Sequence, residues 1–153
     1  RRLAPAGNAA AGVEQRRCPV SLSKLNGFIG PDQMSVLRQN LRGEEGDYFR
    51  TKLAALAATI AAMPTTGQTD GQEQVTAHLH YFAGGQASWY ITERDKGSPD
   101  DGPEDFQSQA FGLADLFGDG GELGYISIPE ILRNGGELDL YWQAKTLEQI
   151  QEG

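Results

Sequence analysis

The chain has 153 residues, the usual size of one domain, and its hydrophobic fraction of 39% is enough for one modest core. Residues 1–46 carry seven basic side chains against four acidic ones, whereas residues 47–153 carry six against seventeen. Such an acidic surface repels phosphate groups and anionic membranes, and no apolar run approaches a membrane span, so nucleic acid and membranes are not expected partners. The single cysteine, Cys18, excludes a disulfide within the chain and a thiolate metal cage.

Residues 1–46 are predicted to be a low-complexity leader, mostly disordered, because Ala, Gly, Arg and Gln recur there without a clear period. Residues 35–41 could form a short helix before the turn-forming residues 43–46. The first methionine is Met34. Residues 1–33 are therefore expected to be a processed end, a part of a longer polypeptide, or an upstream extension of the reading frame.

Residues 47–153 are predicted to form a single acidic α+β domain that begins with an amphipathic helix. Asp47 is the expected N-cap, and Pro64 follows the end of the helix. Between them, apolar side chains recur at spacings of four, three, four and three, which places them in one stripe. The stripe comprises Phe49, Leu53, Leu56, Ile60 and Met63. We expect this helix to lie flat on a sheet.

The strands follow the helix. Residues 75–82 and 87–93 flank Gly84 and Gly85, which predicts a β-hairpin, and the acidic residues 95–105 predict a surface loop. Further strands are predicted at 108–113, 123–128 and 138–142. Short helices are predicted at 129–133 and from Thr146, where Gln149 has the capping-box spacing. The expected fold is a mainly antiparallel sheet of four or five strands, with the 47–63 helix on one face and short C-terminal helices.

The two histidines, His78 and His80, lie two residues apart in a predicted strand and should point to the same face. They could reach one metal ion, with Glu93 on the neighbouring strand as a third ligand. The simpler interpretation is that both occupy the solvent side of a strand whose other side is apolar. We favour the simpler interpretation, because metal sites usually carry more ligands at tighter spacing. No cofactor is predicted.

Known catalytic and binding motifs do not fit this sequence. The acidic loop lacks the EF-hand spacing of ligands, and the glycine-rich residues 118–124 lead into a strand rather than into the helix of a dinucleotide site. No Gly-x-Ser-x-Gly is present for a serine nucleophile. Paired carboxylates for acid–base chemistry could come from Glu93, Asp115, Glu122, Glu130 and Asp139, although nothing in the sequence makes two of them converge.

Several segments resemble the DUF2958 domain, an uncharacterised bacterial family met mainly on plasmids, integrative elements and phages. They are Trp89-Tyr-Ile-Thr-Glu93, Phe111-Gly-Leu113, Glu122-Leu-Gly-Tyr-Ile-Ser127, Glu130 and Asp139-Leu-Tyr141. The resemblance covers about residues 79–141. The chain departs from the family pattern before the last strand, where Arg133-Asn-Gly-Gly136 is shorter than the usual Arg-Gly-containing loop. The resemblance implies a mobile-element setting and supplies no established catalytic residues.

Two classes of function are expected for this soluble, cytoplasmic protein. The preferred one is a non-enzymatic accessory module of a mobile genetic element that binds a host or element-encoded protein, in particular a basic one. Its acidic surface could serve counter-defence by mimicking DNA, or could serve only solubility. The alternative is a small enzyme or ligand-binding domain. Its pocket would be formed by Trp89, Glu93, Glu122, Tyr125 and Glu130.

Overall fold

The computed structural model describes Leu25 and residues 27–97 and 106–152. The disorder predicted for residues 1–24 and most of the acidic loop predicted at 95–105 lie outside these residues. Within them, helices pack against an antiparallel sheet of five strands, and a second sheet has two strands. The predicted α+β fold, with a mainly antiparallel sheet of four or five strands, is confirmed.

Two helices precede the sheet. Helix α1 spans Pro31–Arg42 and begins with a proline. Proline has no backbone N–H, which costs nothing here because an N–H in the first turn of a helix has no partner within the helix. Helix α2 spans Gly46–Ala62, and its predicted apolar stripe packs into the core. Asp47 does not cap α2, because Glu45 holds the N-cap position and the Asp47 carboxylate pairs with Arg50 at 2.7 Å. No helix in the described residues is long and apolar enough to cross a membrane.

The core includes residues that precede the predicted start of the domain at Asp47. The buried side chains there are Leu25, Phe28, Ile29, Met34 and Leu37. In addition, the hydroxyl of Tyr81 donates a hydrogen bond to the carbonyl of Phe28. The predicted boundary is thus too late, and the helix predicted at 35–41 is too short at both ends. Leu25, Phe28 and Ile29 follow no helical or strand period, so only tertiary packing reveals their place in the core.

The strands follow α2. They are β1 Thr76–Ala77, β2 Leu79–Ala83, β3 Ala87–Glu93, β4 Ala110–Asp115, β5 Glu122–Ile126, β6 Glu137–Leu138 and β7 Lys145–Thr146. The main sheet has the order β5-β4-β3-β2-β6 with antiparallel neighbours, and β1 pairs separately with β7. The predicted hairpin is formed by β2 and β3. Strand β5 lies at one edge of the main sheet.

Two short helices lie after β5. Helix α3 spans Ile128–Arg133, and helix α4 spans Leu147–Glu152. The predicted capping box of α4 is present: the Thr146 N–H donates to Gln149 Oε1 at 2.9 Å, and the Gln149 N–H donates to Thr146 Oγ1 at 3.1 Å. Each side chain therefore satisfies a backbone donor that the helix leaves free.

The strand predicted at 138–142 is mostly absent. Only its first residue, Leu138, belongs to a strand, and the chain turns away from the sheet after Asp139, whose backbone N–H still donates to the His80 carbonyl at 2.8 Å. The Asp139 carboxylate accepts a hydrogen bond from the backbone N–H of Tyr141 at 2.9 Å. Aspartate side chains that bond to the backbone two residues on stabilise turns in place of a strand ladder.

The two faces of the main sheet have different surroundings. Paired residues of neighbouring strands share a face, and side chains alternate along each strand. The core face carries Leu79, Tyr81, Trp89, Ile91, Ala114 and Glu122. The opposite face, here called the outer face, carries His80, Phe82, Ser88, Tyr90, Phe111, Leu113, Asp115, Leu123 and Tyr125. His80, Ser88 and Tyr125 therefore share one face of the sheet.

Candidate functional site

The structure does not bring the predicted pocket residues into one pocket. Trp89 packs against the core, and Glu122 lies two strands away from it at the exposed edge. Tyr125 lies on the outer face, with 68% of its surface exposed, and Glu130 is exposed on α3. Glu93 is buried at the end of β3. Because Trp89 and Tyr125 occupy opposite faces of the sheet, no single ligand can contact both from one side.

Glu93 instead holds the connection between α2 and β1. It is 1% exposed, and its carboxylate accepts hydrogen bonds from the backbone N–H groups of Gly67 at 2.7 Å and Thr69 at 2.8 Å. The hydroxyl of Thr69 also donates to it. Burial acts to raise the pKa of Glu93, but the bonds from Thr69 and Gly67 outweigh it and lower the pKa. Glu93 is therefore an ionised structural group, with both oxygens in use.

The histidines do not form a metal site with Glu93. Both ring nitrogens of His80 are engaged, Nδ1 by Asp139 Oδ2 at 2.9 Å and Nε2 by Ser88 Oγ at 3.0 Å. The pKa of His78 is lowered by burial, so this ring favours the neutral form. Across the described residues, no three His, Cys, Asp or Glu side chains are grouped closely enough to hold a metal ion.

The engaged histidine is the centre of a polar and aromatic cluster, here called the His80 cluster, which comprises Ser88, His80, Asp139, Tyr90 and Trp142. The His80 ring stacks on Tyr90, with centroids 4.8 Å apart and an interplanar angle of 12°, and lies 5.0 Å from the ring of Trp142. The His80 side chain is 14% exposed and that of Asp139 is 26% exposed. The His80 ring is thus held at both nitrogens by hydrogen bonds and on one face by Tyr90, and it lies close to solvent.

The sequence allows Ser88 to be placed beside His80, but it does not allow Asp139 to be placed there. With the hairpin turn placed at 84–86, Tyr81 pairs with Trp89, and Ser88 then lies diagonally across from His80 on the same face. No spacing rule could have added Asp139, which is 59 residues from His80 and lies in a turn that the sequence predicted as strand. The sequence pattern therefore associates His80 with His78 and Glu93, and gives no sign of its hydrogen bonds with Ser88 and Asp139.

A second feature is exposed apolar surface at the β5 edge of the main sheet, here called the edge patch. It comprises Leu123 and Tyr125 on the outer face, which are 58% and 68% exposed, and Leu116 and Phe117 in the turn before β5, which are 44% and 71% exposed. Leu123 pairs across the strands with Leu113, and the Tyr125 ring makes an edge-to-face contact with Phe111 at 5.5 Å. The cross-strand contacts fix both side chains on β5.

The edge strand β5 has a free side. It pairs with β4, and no strand of the described residues pairs with its other edge. An open cleft of about 550 Å³ adjoins its first residue, Glu122, and is lined also by Phe117 and Asp119. Unpaired backbone at a sheet edge is a template for another strand, and proteins usually protect it with charge, proline or a covering segment.

The charge around the edge patch has one sign. Residues 106–132 contain four acidic side chains and no lysine or arginine. Three of the acids, Asp115, Asp119 and Glu122, lie in or between β4 and β5. A partner that covers the edge patch therefore also contacts these acidic side chains beside it.

The segments that resemble the DUF2958 domain lie in β3, β4, β5, α3 and the turn after β6. They form one continuous part of the sheet and the helix that follows it. Comparison of the chain with family models, with curated proteins and with solved structures finds no match. The resemblance therefore rests on its motif residues.

Proposed function

We propose that this domain is a protein-interaction module that binds its partner along the free edge of β5. The observation that carries the proposal is the edge patch, where Leu123 and Tyr125 are exposed on β5 beside a backbone edge that no strand of the described residues pairs with. Contiguous exposed apolar surface is uncommon on proteins that act alone and marks interaction sites. A partner segment in extended conformation would satisfy the free backbone groups and cover Leu123 and Tyr125 at the same time.

The acidic side chains beside β5 favour a partner segment that carries basic side chains. An added strand presents alternate side chains to the outer face, so apolar residues two apart in the partner would meet Leu123 and Tyr125. Its remaining side chains lie near Glu122 and the 115–119 turn, where acidic groups favour lysine or arginine. The occupant we propose is therefore an extended, basic segment of another protein.

The setting of this activity follows from the resemblance to the DUF2958 domain. It supports an accessory role in a mobile genetic element, with a host or element-encoded protein as the partner. Inhibition of a DNA-binding defence enzyme by acidic mimicry is a narrower form of the same proposal. It would depend mainly on charge, so replacement of Asp100, Asp101, Glu104 and Asp105 by neutral residues would abolish it. Binding at the edge patch would instead depend on apolar contact.

The test uses two short peptides of alternating apolar and charged residues, one with lysine and one with glutamate at the charged positions. Titration of the lysine peptide into the ¹⁵N-labelled chain should shift the amide signals of Glu122–Ile126 and slow their hydrogen exchange. The glutamate peptide should bind at least tenfold more weakly. The double substitution Leu123→Ser and Tyr125→Ser should remove binding, whereas Val36→Ser, at a residue 54% exposed on α1, should not.

Three results would contradict the proposal. The shifts could map away from β5, or the double variant could bind as the wild type does. The chain could also occupy the edge with a second copy of itself, which sedimentation equilibrium would detect as a dimer that the Leu123→Ser, Tyr125→Ser variant does not form. Equal binding of the two peptides would contradict the basic character of the partner while leaving strand addition in place.

A further inference from the structure

We propose that Ser88 is an activated nucleophile, with His80 as its general base and Asp139 as the carboxylate that orients the base. The group it would accept is the acyl group of an activated ester. This activity is independent of the partner site at β5, because it uses other residues in the centre of the outer face. It is carried by a continuous chain of two hydrogen bonds, one between His80 Nδ1 and Asp139 Oδ2 at 2.9 Å and one between Ser88 Oγ and His80 Nε2 at 3.0 Å.

The order of the atoms determines where the protons lie. An ionised carboxylate can only accept a hydrogen bond, so Asp139 Oδ2 requires the proton of His80 to be on Nδ1. The lone pair of Nε2 then points at Ser88, whose hydroxyl is the donor in that contact. A serine next to the basic nitrogen of a carboxylate-oriented histidine is the arrangement that activates a hydroxyl for attack.

The neighbouring structure holds this arrangement in place. His80 lies on β2 and Ser88 on β3, two adjacent paired strands, so their separation is fixed by the sheet. The stack on Tyr90 fixes the plane of the imidazole ring. The second oxygen of Asp139 accepts the Tyr141 N–H at 2.9 Å, which fixes the carboxylate. Ser88 is only partly buried, so a substrate can reach its hydroxyl.

The proposed step is a transfer of the acyl group to Ser88. The Ser88 oxygen attacks the ester carbonyl carbon while its proton passes to His80 Nε2. The bond from carbon to the leaving oxygen then breaks, and the leaving alcohol takes that proton from Nε2. Ser88 is left as an ester and His80 is neutral again. Attack by water, with the same proton transfers, releases the carboxylic acid and restores Ser88.

The surroundings limit the substrate and the rate. Phe82 and Tyr90 offer aromatic surface beside Ser88, whereas Asp115 faces Ser88 in the register of β3 and β4. A carboxylate in that position repels anionic substrates and does not stabilise a developing oxyanion. Since a single oxyanion donor is worth about 10²–10³ in rate, only esters with good leaving groups should react. The expected substrates are neutral or cationic aryl esters.

The experiment measures labelling and turnover with the full chain. A fluorophosphonate probe should attach to Ser88, as mapped by peptide mass spectrometry, and p-nitrophenyl acetate should release p-nitrophenol. Ser88→Ala should abolish the label, and Asp139→Asn should slow it at least tenfold. The asparagine keeps an oxygen for the Tyr141 N–H, but its amide group cannot accept the proton of His80 Nδ1. Ser35→Ala, at an exposed serine of α1, is the matched control and should label as the wild type does.

Folding of each variant is checked by urea denaturation, and Ser88→Ala should keep an unfolding midpoint close to that of the wild type because it removes one partly exposed hydroxyl. The proposal is overturned if the probe labels another residue, if wild-type Ser88 is not labelled, or if Asp139→Asn leaves the labelling rate unchanged in a folded protein. Binding of the lysine peptide by Ser88→Ala separates this activity from the partner site, since the two can fail independently.

Discussion

The substitution Glu93→Gln tests whether the ionised carboxylate at the end of β3 holds the α2–β1 connection. Glu93 accepts three hydrogen bonds, two from backbone N–H groups and one from the Thr69 hydroxyl. Hydrogen bonds to a charged group contribute about 1.5–3 kcal/mol each. Glutamine can keep its one oxygen toward the two Thr69 donors, but its amide group then faces the Gly67 N–H, so that bond is lost and the other two lose the charge of their acceptor. Allowing for relaxation of the loop, we expect the free energy of unfolding to fall by about 3 kcal/mol.

Urea denaturation at pH 7 measures this loss directly. For a chain of this size, 3 kcal/mol corresponds to a melting temperature lower by roughly 6–12 °C. Glu73→Gln is the matched control, because Glu73 lies in the same connection and is exposed. It should change the stability by less than about 0.5 kcal/mol. Equal stabilities of the Glu93 and Glu73 variants would refute the structural role.

The difference in unfolding free energy between the wild type and Glu93→Gln should depend on pH. The folded-state pKa of Glu93 lies below its ordinary value of 4.5, so the folded state binds this proton less readily than the unfolded state does. The stabilisation is therefore complete above pH 4.5 and is lost as the pH falls through the lowered pKa. The difference between wild type and Glu93→Gln should shrink in that acidic range. A difference that stays constant in acid would show that charge is not its source.

Three further substitutions test the packing. Gly112→Ala should destabilise the chain by more than about 2 kcal/mol in urea denaturation, because a Cβ at this position meets the Tyr90 carbonyl of the neighbouring strand. Tyr81→Phe should cost about 1–3 kcal/mol, because the Phe28 carbonyl loses its donor; an unchanged stability would mean that residues 25–29 do not depend on this bond. Thr146→Ala should cost about 1 kcal/mol by removing the cap of α4, with a matching loss of amide protection in hydrogen exchange.

Most elements of the fold could be predicted from the sequence, because local signals agreed with the tertiary structure there. The helix at 47–63 has a regular apolar stripe, and the Gly84-Gly85 pair lies between two alternating runs. The N-terminal part of the core could not be predicted. Leu25, Phe28 and Ile29 follow no period, and they are buried because they pack into the same core as the sheet residue Tyr81.

The candidate sites were harder to predict than the fold, because they depend on which strands are neighbours. Glu93 and Tyr125 lie on strands that were predicted, yet the strand register does not bring them together. Glu93 is buried and binds the α2–β1 connection, whereas Tyr125 is exposed in the edge patch. The pairing of His80 with Asp139 joins β2 to the turn after β6, which are adjacent only because β6 returns to the edge of the sheet beside β2. Sequence spacing carries no information on such a return.

The proposed binding site and the proposed nucleophile share the outer face but need not exclude each other. Neighbouring strands lie about 4.8 Å apart, so a strand added outside β5 lies roughly 14 Å from β3, which carries Ser88. A partner that only adds a strand therefore leaves Ser88 open. We expect a saturating amount of the lysine peptide to leave the rate of fluorophosphonate labelling at Ser88 unchanged. Protection of Ser88 by the peptide would mean that the partner extends across β4 toward the His80 cluster, and that strand addition at β5 is not its only mode of binding.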